Sequence, residues 1–239
     1  MESLRIPAEG VTLDADVDIP ARPHGAVIFA HGSGSGRHSP RNQFVAERLR
    51  NRGMATVLAD LLTPDEERHD APLRFDIGLL ARRVLSLIDW TTGYEPLAEL
   101  PIGLFGASTG AAAALVAAAA RPERVTAVVS RGGRPDLAGE HLRSVRAPAL
   151  LIVGGRDYVV IDLNRKAADA LAGAARLEIV PGASHLFAEP GALEQVARLA
   201  ARWLDDRLRL SPQWTGQRGP ATSSAASPPR GRSRSADPG

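Results

Sequence analysis

The sequence predicts an α/β fold in which a mostly parallel sheet of about 7–8 strands is flanked by helices on both faces. Short apolar runs with strand character alternate along the chain with longer segments whose apolar residues recur at helical spacing. Such alternation is typical of parallel strands joined by right-handed crossovers. The chain has 239 residues, of which 44% are hydrophobic, so one domain of this class can bury a core.

The predicted elements open with an antiparallel pair of strands and continue as strands alternating with helices. Strands are expected over residues 2–6, 11–18, 27–30, 55–60, 101–105, 125–129, 149–153 and 177–180. Helices are expected over residues 41–51, 75–91, 111–120, 163–171 and 193–208. After the strand at 125–129 only residues 130–147 precede the next strand, which is too few for a multi-helix lid. We therefore expect no large lid and a rather open cleft.

The domain is expected to occupy residues 1–210 and to be followed by a disordered tail at 211–239. The whole chain carries a formal charge of +2, whereas the tail alone holds four arginines and one aspartate. The tail is rich in Ser, Pro and Gly and has no Val, Ile, Leu, Met or Phe, so it cannot bury enough surface to order itself. We interpret its arginines as a solvated extension rather than a nucleic-acid-binding segment.

Several classes of chemistry are excluded by composition. The chain has no cysteine, which rules out disulfides, thiolate catalysis and cysteine-based metal sites. It has no H-E-x-x-H motif, and its single lysine, Lys166, cannot complete a phosphate-binding P-loop. No apolar run approaches the roughly 18–20 residues of a membrane span, and no signal peptide is visible at the N-terminus. We expect a cytoplasmic protein without membrane contact, metal or organic cofactor.

The pentapeptide Gly-Ala-Ser-Thr-Gly at 106–110 is the most specific motif. An apolar strand runs into it and an Ala-rich helix runs out of it, which is the context of a nucleophile elbow. The sharp turn lifts the hydroxyl of Ser108 clear of the sheet and places it at a helix N-terminus, where free N–H groups favour negative charge. Ser108 is therefore the predicted nucleophile.

Two later motifs supply partners for this serine. Asp157 follows the strand at 149–153 after a Gly-Gly turn, and His185 follows the last predicted strand. A serine hydroxyl needs a base to take its proton, and the base needs a third group to fix its tautomer. The order Ser108, Asp157, His185 fits these roles. Asp136, which follows the strand at 125–129, is the alternative acid.

The glycine-rich loop at 31–36 follows the strand at 27–30 and predicts an oxyanion hole. We expect one backbone N–H from this loop, that of Ser33, to join the N–H of Thr109 around a developing negative charge. His31 at the start of the loop is expected to rigidify the loop through hydrogen bonds rather than to catalyse. A dinucleotide-binding G-x-G-x-x-G motif is excluded because Arg37 stands where the last glycine is needed.

These motifs make the chain similar to the α/β-hydrolase superfamily, in its dienelactone-hydrolase-like branch. The segments at 31–42, 105–110 and 130–137 especially resemble one group of that branch, which occurs alone or fused behind a phosphoribosyltransferase domain. The resemblance covers residues 1–209 and implies the α/β-hydrolase fold with acyl chemistry and no cofactor. True dienelactone hydrolases carry a cysteine at the elbow, whereas this chain has Ser108, so the resemblance does not imply lactone specificity.

The expected substrate is a small-molecule carboxylic ester or lactone, cleaved through an acyl-enzyme. Three arginines that follow predicted strands or the glycine-rich loop are candidates for binding a carboxylate of the substrate: Arg131, Arg134 and Arg37. Arg41, in the helix after that loop, is a further candidate. Two alternatives use the same residues differently: an acyltransferase or thioesterase with the same triad, and a catalytically silent scaffold that binds a partner through the open cleft or the tail.

Overall fold

A computed structural model of the chain describes residues 1–210, and the predicted tail at 211–239 lies outside the described residues. Eight strands form one sheet in the order β1-β2-β4-β3-β5-β6-β7-β8. β2 is antiparallel to both β1 and β4, and every other pair of neighbours is parallel. The strands are β1 Glu2–Ala8, β2 Val11–Asp18, β3 Ala26–Ala30, β4 Ala55–Ala59, β5 Ile102–Ala107, β6 Val125–Arg131, β7 Ala149–Gly154 and β8 Ala175–Val180. This arrangement confirms the predicted fold class.

Helices cover both faces of the sheet, as the sequence predicts. α1 and α6 pack on one face, where their apolar residues share a core with one set of alternating strand residues. α3 and α4 pack on the other face, where a second and larger core lies. The helices are α1 Pro40–Arg50, α2 Pro64–His69, α3 Ile77–Gly93, α4 Thr109–Ala120, α5 Tyr158–Ala170 and α6 Ala192–Arg209.

The central strand and its helix pack tightly because of their composition. All six residues of β5 are buried, and most residues of α4 are alanines, the majority of them buried. Alanine is the best helix former, and its small side chain lets a helix backbone approach the sheet closely. The two elements therefore form a rigid support for the turn between them.

Some helices differ from the sequence prediction. α2 was not expected, although Thr63 and Glu66 form a reciprocal capping box around its first turn. α3 begins at Ile77 rather than at residue 75, because the side chain of Asp76 accepts a hydrogen bond from the backbone N–H of Leu79 and caps the helix there. α5 begins at Tyr158, five residues before the expected start.

The cleft at the carboxyl ends of the strands has little cover. In the described part of the chain, the segment between β6 and β7 contains only the short 3₁₀ stretch Pro135–Ser144, in agreement with the prediction of no large lid. No helix within residues 1–210 combines the length and apolarity that crossing a bilayer requires.

Candidate active site

Ser108 lies at the turn between β5 and α4 in a strained backbone conformation. Its φ is 50° and its ψ is −121°, values that L-residues rarely adopt. The turn closes only because glycines lie two positions before and two positions after Ser108. A Cβ on Gly106 would lie 2.4 Å from Ala111 Cα, and a Cβ on Gly110 would lie 2.2 Å from Ala30 O. These are the dimensions of a nucleophile elbow.

The elbow is held on its other side by the segment that follows β6. The backbone N–H of Ser108 donates to the carbonyl of Arg131 at 3.2 Å, and the N–H of Arg134 donates to the carbonyl of Ser108 at 3.0 Å. The Ser108 side chain is half-buried and does not cap helix α4. Its hydroxyl is therefore not committed to the helix terminus that it faces.

His185 and Asp157 are hydrogen-bonded to each other at the same edge of the sheet. The His185 Nδ1 to Asp157 Oδ2 distance is 2.6 Å. Because the carboxylate accepts from Nδ1–H, the bond fixes the tautomer that leaves Nε2 free to take a proton. Gly132, in the segment that also holds the elbow, would bring a Cβ within 3.6 Å of His185 Cε1. Ser108 and His185 thus flank the same short stretch after β6.

Asp136, the alternative acid, is engaged elsewhere. Both of its carboxylate oxygens accept hydrogen bonds from Arg134, at 2.8 and 2.7 Å. This bidentate contact with the Arg134 guanidinium neutralises the Asp136 carboxylate and fixes its orientation. Of the two candidate acids, only Asp157 lies against His185.

The two proposed oxyanion donors, Ser33 and Thr109, are brought together. The N–H of Ser33 donates to Thr109 Oγ1 at 3.1 Å. This contact places the glycine-rich loop directly beside the first turn of α4. It also means that the Ser33 N–H is occupied in this conformation, so an oxyanion must displace the Thr109 hydroxyl to use it. Thr109 is the first residue of α4, whose first N–H groups have no intrahelical acceptor.

His31 has the structural role that the sequence analysis favours. It is buried, its Nε2 accepts from the N–H of Leu61 at 2.8 Å, and its Nδ1 lies 3.0 Å from the carbonyl of Gly32. The ring therefore carries its proton on Nδ1 and ties the loop after β3 to the loop after β4. Burial lowers the pKa of His31, so the ring is neutral.

The arginines predicted to bind substrate differ in their surroundings. Arg37 is matched by three carboxylates, those of Asp14, Asp16 and Asp60. Arg134 is neutralised by Asp136, as described above. Arg131 is buried, and its Nη1 has no hydrogen-bond partner within residues 1–210. Of the predicted three, Arg131 is the guanidinium whose charge is not matched by a carboxylate.

Glu189 is a site residue that the sequence analysis missed. Its carboxylate accepts from the N–H of Ser184 at 2.9 Å and pairs with Arg156, so it braces the loop that carries His185. The hydrogen bond from Ser184 is the main reason that the pKa of Glu189 falls to about 2. Glu189 follows His185 by four residues, but this spacing matches no motif that could have identified it.

Asn164, on α5, plays a similar part for the segment after β6. Its Nδ2 donates to the carbonyl of Gly133 at 3.0 Å.

Within residues 1–210, no group of three or more histidine or carboxylate side chains is arranged to hold a metal ion. The absence of a metal cofactor remains a prediction.

The fold and the site define the class of protein. The model of the alpha/beta hydrolase domain family matches residues 23–199, and the chain belongs to that family. A crystal structure of a dienelactone hydrolase from Anabaena variabilis is 54% identical, with a TM-score of 0.85 over 87% of this chain and 98% of that one. The resemblance to the dienelactone-hydrolase-like branch is thereby confirmed.

Two curated proteins from Mycobacterium tuberculosis, provisionally named phosphoribosyl transferases, are 56% identical over 207 residues. These residues are 87% of this chain but only 46% of each relative, so the chain spans about half the length of the curated relatives it matches. Est1E from Butyrivibrio proteoclasticus has a TM-score of 0.73 at 17% identity, covering 86% of this chain and 98% of that one, and shares the fold.

Proposed function

We propose that this chain is a serine hydrolase that cleaves a carboxylic ester or a lactone through an acyl-enzyme. The observations that carry the proposal are the 2.6 Å hydrogen bond between His185 and Asp157 and the strained elbow of Ser108, which both adjoin the segment after β6. A base with a fixed tautomer activates a serine hydroxyl by taking its proton, and the strained turn exposes that hydroxyl at the end of the strand. The dienelactone hydrolase from Anabaena variabilis supports the same reaction class.

In the first half of the reaction, His185 Nε2 takes the proton of Ser108 Oγ as that oxygen attacks the substrate carbonyl. Asp157 stabilises the imidazolium that forms. The oxyanion of the tetrahedral intermediate is held by the N–H groups of Thr109 and Ser33, the second after it leaves Thr109 Oγ1. His185 then returns the proton to the leaving alkoxide, and the acyl group stays on Ser108.

In the second half, water replaces the alcohol. His185 takes a proton from water, hydroxide attacks the acyl carbonyl, and collapse of the intermediate returns the proton to Ser108. No metal or organic cofactor enters any step. An acyltransferase would differ only here, with an alcohol or an amine in the place of water. The open cleft, with only the 3₁₀ stretch Pro135–Ser144 after β6, lets water reach the acyl-enzyme and therefore favours hydrolysis.

The test combines active-site labelling with turnover. The wild type is expected to react stoichiometrically with a fluorophosphonate probe and to hydrolyse short 4-nitrophenyl esters. Ser108→Ala is expected to lose both, apart from a residual rate of order 10³-fold over water from the oxyanion hole. Ser35→Ala is the matched control because it removes a hydroxyl from the neighbouring glycine-rich loop without touching the proposed machinery.

Each alternative gives a different result in this test. Labelling without hydrolysis, with turnover restored by an added alcohol or amine, would identify an acyltransferase. A wild type that is folded but neither labelled nor active would identify a silent scaffold. Wild-type turnover in Ser108→Ala would remove Ser108 as the nucleophile.

A further inference from the structure

Arg131 is a buried charge without a counter-charge. It is the last residue of β6, only 8% of it is exposed, and its Nη1 contacts neither solvent nor a hydrogen-bond partner within residues 1–210. Burial, together with the nearby charge of Arg41, lowers the pKa of Arg131 to about 10, so the group stays protonated at neutral pH. An ionised guanidinium that is withdrawn from water and left unpaired costs several kcal/mol. An anion that reaches it recovers part of that cost.

The position of Arg131 relates this charge to the proposed nucleophile. In the register of the sheet, Arg131 lies opposite Ala107, the residue before Ser108. Alternation along β6 places its side chain on the same sheet face as Ala127 and Val129, which is the face covered by α1 and α6. The guanidinium therefore lies next to the elbow, and it is near enough to Arg41, in the first turn of α1, for the charge of Arg41 to lower its pKa.

Arg41, in that first turn, is a second cation near the elbow that forms no ion pair within residues 1–210. Its Nε is buried without a hydrogen-bond partner in the described part of the chain. It lines a cleft of about 290 Å³ whose other wall is the segment from Leu186 to Gly191, directly after His185. Phe187 lines the same cleft and also lies beside Gly132 in the segment that holds the elbow. Through Phe187 the wall of this cleft reaches Gly132, the residue directly after Arg131, while Arg131 itself is buried and does not line the cleft.

The remaining charges near this cleft do not neutralise the two arginines. Glu189 is already engaged by Arg156 and by the Ser184 N–H. Glu194, which also lines the cleft, is exposed to solvent and forms no ion pair with Arg41 within residues 1–210. The positive charges of Arg131 and Arg41 are therefore both available to a bound anion.

We propose that Arg131 and Arg41 form a subsite for a doubly charged oxyanion on the substrate, of the phosphate monoester class. The inference rests on the proposed function, because the subsite is assigned to the ester that Ser108 attacks. A phosphate monoester carries about −1.5 to −2 charges at pH 7 and presents three acceptor oxygens. Two guanidiniums match both its charge and its acceptors, whereas a carboxylate leaves one positive charge unmatched.

The experiment compares three 4-nitrophenyl esters of equal chain length that end in a methyl group, a carboxylate or a phosphate monoester. With a hydrogen bond to a charged group contributing about 1.5–3 kcal/mol, kcat/KM of the wild type is expected to favour the phosphate ester over the methyl ester by about 10- to 100-fold. The carboxylate ester should fall between them. Arg131→Met should reduce the phosphate-over-methyl preference in kcat/KM to about the ratio that the two esters show in uncatalysed hydrolysis.

Two controls keep the result interpretable. Arg41→Gln should lower the preference without altering the buried strand, so it decides the question if Arg131→Met does not fold. Arg48→Gln removes an equal charge from an exposed position two turns further along α1 and should leave the preference unchanged.

A separate readout distinguishes this proposal from the proposed function. Inorganic phosphate should raise the Tm of the wild type and of Ser108→Ala, but not that of Arg131→Met or Arg41→Gln. If the wild type hydrolyses none of the esters but inorganic phosphate still raises its Tm, the proposed hydrolase function is wrong and the anion site stands. Equal kcat/KM for the three esters, an equal preference for carboxylate and phosphate, or a phosphate preference that survives both arginine substitutions would overturn the doubly charged subsite.

Discussion

The backbone strain at Ser108 predicts that this position trades stability for activity. With φ at 50° and ψ at −121°, the Cβ of residue 108 is forced into a conformation that costs about 1–3 kcal/mol. Ser108→Gly removes that Cβ and should relieve the strain, because glycine adopts positive φ as readily as negative φ. Ser108→Ala keeps the Cβ and should keep the strain.

The expected gain is smaller than the strain itself. Glycine loses more chain entropy on folding than other residues, which offsets about 0.5–1 kcal/mol. A net stabilisation of about 1 kcal/mol remains, and in a domain of this size it corresponds to a Tm rise of about 2–4 °C. Ser108→Ala should melt close to the wild type. Both variants lack the hydroxyl, so any difference in stability between them comes from the backbone.

The assay is differential scanning calorimetry of the wild type and the two variants, supported by urea unfolding to give the free energy of unfolding at one temperature. Fluorophosphonate labelling of the same samples checks that both variants have lost the nucleophile. The strain argument fails if Ser108→Gly is no more stable than Ser108→Ala. It also fails if the alanine variant gains as much as the glycine variant, because the hydroxyl rather than the Cβ would then be the destabilising group.

Two further predictions concern the acid and the buried histidine. Asp157→Asn should reduce kcat by about 10⁴-fold, because an amide in place of the carboxylate favours the wrong tautomer of His185. Asp136→Asn should change kcat far less. If steady-state kinetics give the reverse ranking, Asp136 rather than Asp157 is the acid. His31 has a lowered pKa in the folded state, so the unfolded chain binds the extra proton first and stability is lost as the pH falls below the ordinary value of 6.5. Urea unfolding from about pH 7.5 to about pH 5.5 should therefore show a smaller loss of stability in His31→Gln than in the wild type, with the exposed His141→Gln behaving as wild type.

The sequence by itself determines those features that depend on neighbours along the chain. The elbow at 106–110 is recognisable because strand periodicity, two small residues and an Ala-rich helix follow one another without interruption. The same holds for the alternation that predicts the parallel sheet and for the short connection after β6. Such features are local. They arise from steric fit in a turn or from burial of one face, and both depend on residues that are close together in the chain.

Only the tertiary structure decides which acid lies against His185. Asp157 and Asp136 both follow strands, and their sequence context does not show that Arg134 engages one and His185 the other. Asp136 and Arg134 are neighbours in the chain, but Asp157 and His185 are 28 residues apart, and no local pattern records that the fold brings those two together. The same reason explains why Arg131, which resembles other arginines in the sequence, is the arginine within residues 1–210 that is buried without a carboxylate partner.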